Sequence, residues 1–218
     1  SSRPGADILS PDKEWDRLRG IIAEVKERWP NIIISIDTIH SETASKCISE
    51  GADWINDISG GTYDSNMISV VRDAQIPYIC MHMRGTPKTM KDLSDYKGDV
   101  VTAVYSYFAR KVRALRDKGL KDIIIDPGFG FAKNIKQNFH LLQALDTFHS
   151  LECPILVGLS RKSMIYKTLK TKPEHALNGS TVLHTVALLQ GAHILRVHDV
   201  REAREVRTLV QRLRPSTP

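Results

Sequence analysis

Six apolar segments of this 218-residue sequence each end in residues that could do chemistry. In chain order the endings read SIDT, INDIS, CMHM, IIIDPGFGF, VGLSRKS and RVHD. They offer carboxylates, an amide, histidines and long cations, which are groups that bind and orient a small polar substrate. The candidates that we expect to converge on one site are Asp37, Asn56, His82, Asp126, Lys162, Arg196 and His198.

Some of these candidates have a second interpretation. Asp37 could cap the following helix, but Ser41 is better placed to do so, and we favour a site role for Asp37. Asn56 and Asp57 are adjacent and therefore face opposite sides of a strand. We assign Asn56 to the site and Asp57 to a structural contact with backbone or a helix arginine. His82 stays open between a site role and that of a buried packing residue.

Two segments predict a site for an anion. Arg196 and His198 share one strand face, and neighbouring cationic or donor groups suit a phosphate or a diphosphate. The alternative for Arg196 is a salt bridge to a nearby aspartate. The SRKS segment at residues 160–163 combines Arg161 and Lys162 with the amide groups of a helix N-terminus. We expect one of these two cations to be structural.

Other classes of function have little support. The sequence has no legible Ser-His-Asp or Cys-His arrangement for covalent catalysis, and no HExxH motif or cysteine cluster for zinc. Cys47, Cys80 and Cys153 are scattered, which is typical of reduced thiols in a cytoplasmic protein. The net charge of +6 comes from Lys and Arg spread among acidic residues on helix faces, which favours solvated surfaces over a nucleic-acid site.

Parallel strands are needed to bring the candidates together. Near-continuous hydrophobicity predicts buried parallel strands over residues 32–36, 54–58, 77–81, 123–125, 155–159 and 194–197. Between the strands the apolar spacing predicts amphipathic helices. The first helix begins at Ser10 and Pro11 and carries one apolar stripe as far as Trp29.

Two later helices have clear boundaries. The pattern from Val100 to Leu115 predicts a helix that Gly119 ends. Asp199 with Glu202 resembles a capping box at the start of the last helix. A weak repeat between residues 50–58 and 190–198 places Gly at each helix end and aligns Asn56 with Arg196.

Six strand-helix units predict a single α/β domain over residues 1–218. The absence of a GxGxxG motif argues against a doubly wound sheet. Six units in 218 residues give about 36 residues each, so that eight units need about 290, the size of a (β/α)8 TIM barrel. We therefore expect a TIM barrel with about two N-terminal β/α units before residue 1.

Seven ordered motifs give the sequence a family resemblance. SSRPGA, SIDT, INDISGG, MHMRGTPKTM, DPGFGFAK, GLSRKSM and RVHD together resemble the dihydropteroate synthases, folate-pathway enzymes inhibited by sulfonamides. The resemblance extends from Ser1 to about Leu213, with Ser2 in place of the usual threonine. It implies condensation of 6-hydroxymethyl-7,8-dihydropterin diphosphate with 4-aminobenzoate, giving 7,8-dihydropteroate and diphosphate. The implied cofactor is Mg2+, and the mechanism is dissociative.

The resemblance also implies residue roles. Those implied as catalytic are Asp37, Lys162, Arg196 and His198. The pterin contacts are Asp37, Asn56, Met83, Asp126 and Lys162, and the diphosphate contacts are Arg196 and His198. The aminobenzoate pocket comprises Ser2, Arg3, Pro4, Phe131, Lys162 and Ser163. No metal ligand is expected in this chain, because the asparagine that binds Mg2+ in the family precedes residue 1.

Two other functions remain alternatives. One is the methyltetrahydrofolate-binding barrel of a corrinoid methyltransferase, which would not need the anion site of SRKS and RVHD. The other is a pterin-binding homologue without catalysis. The resemblance further implies a cytoplasmic homodimer that binds neither nucleic acid nor membrane.

Overall fold

The predicted strands form a parallel sheet whose order follows the chain. A computed structural model describes residues 7–86 and 88–213. Its strands are β1 (Ser35–Asp37), β2 (Trp54–Asp57), β3 (Tyr78–Met81), β4 (Ile123–Asp126), β5 (Leu156–Val157) and β6 (Ile194–Leu195). Strands β1 to β4 pair in sequence, β5 pairs with β6, and a parallel bridge between Ile125 and Ile155 joins β4 to β5.

This strand order distinguishes between the two predicted architectures. A doubly wound sheet reverses its order at a switch point, whereas the six described strands succeed one another without reversal. Sequential parallel strands with intervening helices form the (β/α)8 barrel. The prediction of a parallel barrel is therefore confirmed.

Nine α-helices are described between and beside these strands. They are α1 (Pro11–Trp15), α2 (Ile21–Arg28), α3 (Ser41–Ser49), α4 (Met67–Ala74), α5 (Val100–Asp117), α6 (Ile135–Gln143), α7 (Ser163–Thr168), α8 (Leu177–Leu189) and α9 (Val200–Leu213). Helix α5 confirms its prediction, with Asp99 accepting a hydrogen bond from the Thr102 amide at its start. No described helix is both long and apolar enough to cross a membrane.

The prediction of one continuous first helix was wrong. The chain breaks between α1 and α2, where Gly20 adopts a left-handed conformation with φ of 77°. The Gly20 amide donates to both oxygens of the Glu50 carboxylate, at 3.0 and 3.1 Å. This turn separates α1 from α2, and Trp29 at the end of the predicted stripe is 56% exposed.

Several strands are shorter than the apolar runs that predicted them. Ile32 and Ile33 are 47% and 60% exposed, and β1 starts only at Ser35. Before β1, the Ile34 amide donates to the carboxylate of Asp53, which also pairs with Lys26. Apolar composition alone therefore does not locate the ends of a strand, because side-chain contacts with the backbone also decide where pairing begins.

Apolar side chains on the inward faces of the strands pack into one layer. Ile79, Ile124 and Leu156 pack together, with Trp54 and Ile194 beside them. Side chains two residues further along a strand lie on the same face. The next inward positions toward the carboxyl ends are therefore Asn56, Met81, Asp126, Gly158 and Arg196.

Asp57 has the structural role that we expected, on the opposite face of the strand from Asn56. It is fully buried on the face opposite Asn56. Its carboxylate accepts hydrogen bonds from the Ser59 amide at 2.7 Å, the Gly61 amide at 2.9 Å and the Tyr78 hydroxyl at 2.8 Å. Backbone and a tyrosine, rather than a helix arginine, are the partners, and the β2 loop is anchored to β3.

Replacing Asp57 by Ala should therefore lower the free energy of unfolding by about 3 kcal/mol, since the buried Tyr78 hydroxyl and two partly buried amides lose their acceptor. Urea unfolding measures this loss. Asp73→Ala is the matched control, because the Asp73 side chain is 68% exposed and pairs with Arg72 at the surface. The control should lose less than about 0.5 kcal/mol, and similar losses for the two variants would contradict the assignment.

Candidate active site

A chain of hydrogen bonds connects four strands at their carboxyl ends. Arg196 donates from Nη2 to Asp126 Oδ2 at 2.6 Å and from Nη1 to Asn56 Oδ1 at 3.2 Å. Asn56 Nδ2 then donates to Asp37 Oδ1 at 3.0 Å. The structure therefore brings together Asp37, Asn56, Asp126 and Arg196, four of the predicted site residues.

The Asp126–Arg196 ion pair lies at the boundary between the barrel and solvent. The Asp126 side chain is 1% exposed, whereas the Arg196 side chain is 40% exposed. Asp126 Oδ1 also accepts from the Gly128 amide at 2.8 Å. The salt bridge that was the alternative for Arg196 is thus present, and it pairs a buried carboxylate with a solvent-accessible cation.

Gly158 makes room for this ion pair. Gly158 directly follows β5 and carries no side chain, and a Cβ atom there would lie 2.9 Å from Arg196 Nη2. That distance is shorter than an ordinary van der Waals contact. The guanidinium can consequently lie across the end of β5 and reach β4 and β2.

Burial and charge act in opposite directions on these groups. Burial raises the pKa of Asp37, while the Asn56 hydrogen bond and the charge of Arg196 lower it by less. For Arg196, burial lowers the pKa, but the neighbouring Asp126 and Asp37 carboxylates outweigh burial and leave that pKa above its usual range. The cluster therefore balances two carboxylates against one guanidinium.

Lys162 lies beside the ion pair. It is the residue before α7, and its Nζ donates to the Phe129 carbonyl. The ammonium also lies 4.6 Å from the centre of the Phe131 ring, within range of a cation–π contact. Burial lowers the pKa of Lys162 to about 8, with Asp126 opposing and Arg196 adding to this shift.

The second cation of the SRKS segment has a structural position. Arg161 binds Asp199 with two hydrogen bonds, at 2.8 and 2.7 Å, and donates to the Glu174 carbonyl at 2.7 Å. This contact holds the start of α9 and uses the Asp199 carboxylate that was expected to cap that helix. His198 is exposed nearby, with Nδ1 3.0 Å from the Ser160 hydroxyl.

His82 lies outside the cluster, although we expected it to converge with the other strand ends. Its side chain is buried against Tyr107, and Nδ1 is 3.0 Å from Lys133 Nζ. The packing interpretation of His82 was therefore the correct one. The sequence reasoning missed Lys133, although this lysine closes the DPGFGFAK motif.

Apolar side chains and a cavity adjoin the cluster. Met83 and Phe131 belong to one apolar group with Ile58 and Met81. A cavity of about 310 Å3 is lined by Asp37, Ile58 and Met83 among others. Its size is at the lower end of the range for small-molecule sites.

Some predicted positions cannot be compared with this geometry. Ser2, Arg3 and Pro4 lie outside the described residues. Ser163, by contrast, is described and is the first residue of α7. Within residues 7–86 and 88–213, no three His, Cys, Asp or Glu side chains are grouped so as to hold a metal ion. The described residues therefore do not by themselves form a site for Mg2+.

Comparison with known proteins shows the family to which this chain belongs. The family model described as pterin binding enzyme matches residues 1–198. A dihydropteroate synthase of Escherichia coli (strain K12) is 37% identical over 213 residues, covering 97% of this chain and 74% of the relative. The Synechocystis enzyme of the same name is 40% identical over 209 residues, covering 94% and 72%.

Solved structures agree with these relatives. The chain superposes on a Yersinia pestis dihydropteroate synthase in complex with a sulfonamide drug with a TM-score of 0.93 and 33% identity, covering 100% of this chain and 78% of the other. A Thermus thermophilus dihydropteroate synthase in complex with 4-aminobenzoate gives a TM-score of 0.90 at 32% identity, covering 98% and 81%. The chain belongs to the pterin binding enzyme family and, within it, to the dihydropteroate synthases.

Proposed function

We propose that the Arg196 cluster binds 6-hydroxymethyl-7,8-dihydropterin diphosphate and that the neighbouring loop binds 4-aminobenzoate. The reaction joins the pterin methylene to the arylamine nitrogen and releases diphosphate. The observation that carries the assignment is the Asp126–Arg196–Asn56 contact. In this contact, the planar guanidinium of Arg196 donates N–H hydrogen bonds to two buried acceptors at the carboxyl ends of the strands.

The guanidinium has the same donor pattern as the substrate. The amino-pyrimidine edge of a pterin presents adjacent N–H groups, as a guanidinium does, and a carboxylate binds either with charge-assisted hydrogen bonds. Asp126 and Asn56 therefore suit the pterin ring as well as Arg196. Both partners cannot use Asp126 Oδ2 and Asn56 Oδ1 in the same geometry, so pterin binding has to displace the guanidinium.

The displaced guanidinium has a second use. Arg196 and His198 lie two residues apart, and the Arg196 side chain is already 40% exposed. The diphosphate of the substrate offers Arg196 new anionic partners when Asp126 takes the pterin ring. We refer to this change as the partner exchange of Arg196, and it links recognition of the two ends of one substrate.

In the proposed reaction, no side chain has to act as a general base. The C–O bond to the diphosphate breaks, and the leaving group takes the electron pair while Arg196 and His198 bind it. Positive charge develops on the pterin methylene, and we propose that the nearby Asp37 carboxylate stabilises it electrostatically. The neutral arylamine nitrogen attacks this carbon, and the proton that it loses passes to solvent.

Lys162 connects the two substrates. Its ammonium lies beside Asp126 and over the Phe131 ring, so it can contact the pterin on one side and the aminobenzoate on the other. We assign Met83 to the pterin pocket, and Phe131, Lys162 and Ser163 to the aminobenzoate pocket. Ser2, Arg3 and Pro4 complete that pocket in the proposal. A sulfonamide drug and 4-aminobenzoate are present in complexes of the Yersinia and Thermus relatives, and we propose sulfonamides as inhibitors here.

The proposal includes Mg2+ as an ion that would bind together with the diphosphate of the substrate. Mg2+ in proteins is typically held by one or two carboxylates together with substrate phosphates. When bound, it would neutralise charge on the diphosphate. The steps above assign roles only to residues of this chain, because the described residues do not fit a metal site of their own.

We also propose a cytoplasmic homodimer. Cys47, Cys80 and Cys153 are buried and free of disulfides, in keeping with a reducing compartment. Leu189 on α8 and Leu209 on α9 are 55% and 67% exposed, and they offer apolar contacts for a second copy. Light scattering that gives the mass of one chain would contradict the dimer, and recovery in a membrane or secreted fraction would contradict the location.

The reaction is tested by incubating the intact protein with the pterin diphosphate, 4-aminobenzoate and Mg2+. Diphosphate should be released together with an equal amount of dihydropteroate, and the release should require aminobenzoate. Omitting aminobenzoate is the control. Absence of release in the complete mixture would leave a pterin-binding protein without catalysis, and release that ignores aminobenzoate would indicate a hydrolase.

Arg196→Ala should selectively weaken binding of the diphosphate substrate. Loss of charge-assisted hydrogen bonds to phosphate should raise its Kd by roughly 10- to 100-fold, while the Kd of 6-hydroxymethylpterin should not rise, because the ring no longer has to displace the guanidinium. Calorimetric titration measures both constants. Arg201→Ala is the control, since the Arg201 side chain is 87% exposed on α9. Equal losses for the two ligands would contradict the diphosphate role.

A further inference from the structure

A second lysine, which is buried, lies behind the site and has no part in the proposed chemistry. Lys133 is 8% exposed. Its Nζ donates to Gly128 O, Phe131 O and His82 Nδ1, each at 3.0 Å. An ammonium has three N–H donors, so every donor of Lys133 has a partner. None of these three partners is a carboxylate, which is unusual for a buried cation.

The partners of Lys133 connect a loop to a strand end. Gly128 and Phe131 belong to the loop of residues 127–132, whereas His82 directly follows β3. The loop packs closely there, because a Cβ atom at Gly128 would lie 2.1 Å from the His82 carbonyl oxygen and the Gly128 φ is 68°. Lys133 therefore binds the loop from within and ties it to the neighbouring strand.

This loop in turn holds Lys162. The Phe129 carbonyl accepts a hydrogen bond from Lys162 Nζ, and the Phe131 ring lies 4.6 Å from the same ammonium. Both contacts depend on the backbone path between Gly128 and Phe131. The two lysines thus act at opposite sides of one loop, Lys133 on its buried side and Lys162 on its site side.

We propose that Lys133 is a positioning residue, which, with His82 as its acceptor, fixes the loop so that Phe131 and Lys162 are placed for the aminobenzoate. The proposal rests on the proposed function, since it deepens the assignment of that pocket. Lys133 does not touch the substrate in this account. It acts only through the loop.

The protonation states agree with the geometry. Burial, together with the charges of Lys133 and Arg84, lowers the pKa of His82 to about 2. The imidazole is therefore neutral near pH 7, and its Nδ1 can accept. Burial lowers the pKa of Lys133 to about 7, with Asp126 opposing and Lys162 adding to the shift. The fully donating ammonium is the form below that pH.

Three variants test the proposal in the intact protein. Lys133→Met removes the donors at similar volume, and His82→Leu removes one acceptor. His82→Asn is the conservative control, because its Oδ1 can accept where Nδ1 does. The first two should raise the KM for aminobenzoate about tenfold and the KM for the pterin diphosphate less than about threefold. His82→Asn should stay close to the native protein for both substrates.

Other results would overturn the proposal. Equal rises in both KM values, or a fall in urea stability with both KM values unchanged, would make Lys133 a structural residue only. His82→Asn behaving like His82→Leu would remove His82 from the account. If Lys133→Met does not fold, the comparison of the two His82 variants decides.

Binding of 4-aminobenzoate by calorimetry separates this inference from the proposed function. A native protein that binds aminobenzoate without turning it over contradicts the synthase reaction. In that case, weaker binding by Lys133→Met and His82→Leu still supports the positioning role, whereas unchanged binding overturns it. A native protein that does not bind aminobenzoate contradicts both.

Discussion

The buried carboxylate of Asp126 is the constraint on which the site depends. An ionised carboxylate that is 1% exposed needs strong partners, because burying an unpaired charge is very unfavourable. Arg196 and the Gly128 amide provide them. A ligand that binds Asp126 in place of Arg196 therefore has to offer donors of equal quality. This requirement favours a flat ring with adjacent N–H groups over most other small molecules.

The fold brings Asp126 and its partners together because every second residue of a strand lies on the same face. An apolar layer that includes Ile124 and Leu156 packs on the inward faces of the strands, and the next inward positions carry the polar cluster. Asp57 directly follows Asn56 and lies on the opposite face of β2, where it anchors a loop instead of joining the site. The loop after Asp126 adds the remaining elements, since it caps that carboxylate, orients Phe131 and holds Lys162. In the proposed function, recognition and positioning therefore both depend on one strand end and the loop that follows it.

Sequence reasoning was most successful where a simple geometric rule applied. Strand parity separated Asn56 from Asp57, and the repeat aligned Asn56 with Arg196, two residues at equivalent inward positions beyond the apolar layer. It failed where long-range contacts decide the outcome. The Gly20 turn depends on Glu50, thirty residues later, and the position of His82 depends on Lys133. Neither partner is visible in local hydrophobic patterns, because both act through tertiary hydrogen bonds.

The partner exchange of Arg196 is the central claim, and calorimetric titration of 6-hydroxymethylpterin with and without diphosphate tests it most directly. Diphosphate should draw Arg196 from Asp126 and free that carboxylate for the ring. The account predicts that diphosphate tightens pterin binding about fivefold or more, the usual scale of coupling between two sites. The tightening should disappear in Arg196→Ala. Pterin affinity that diphosphate leaves unchanged or weakens in the native protein would contradict the exchange.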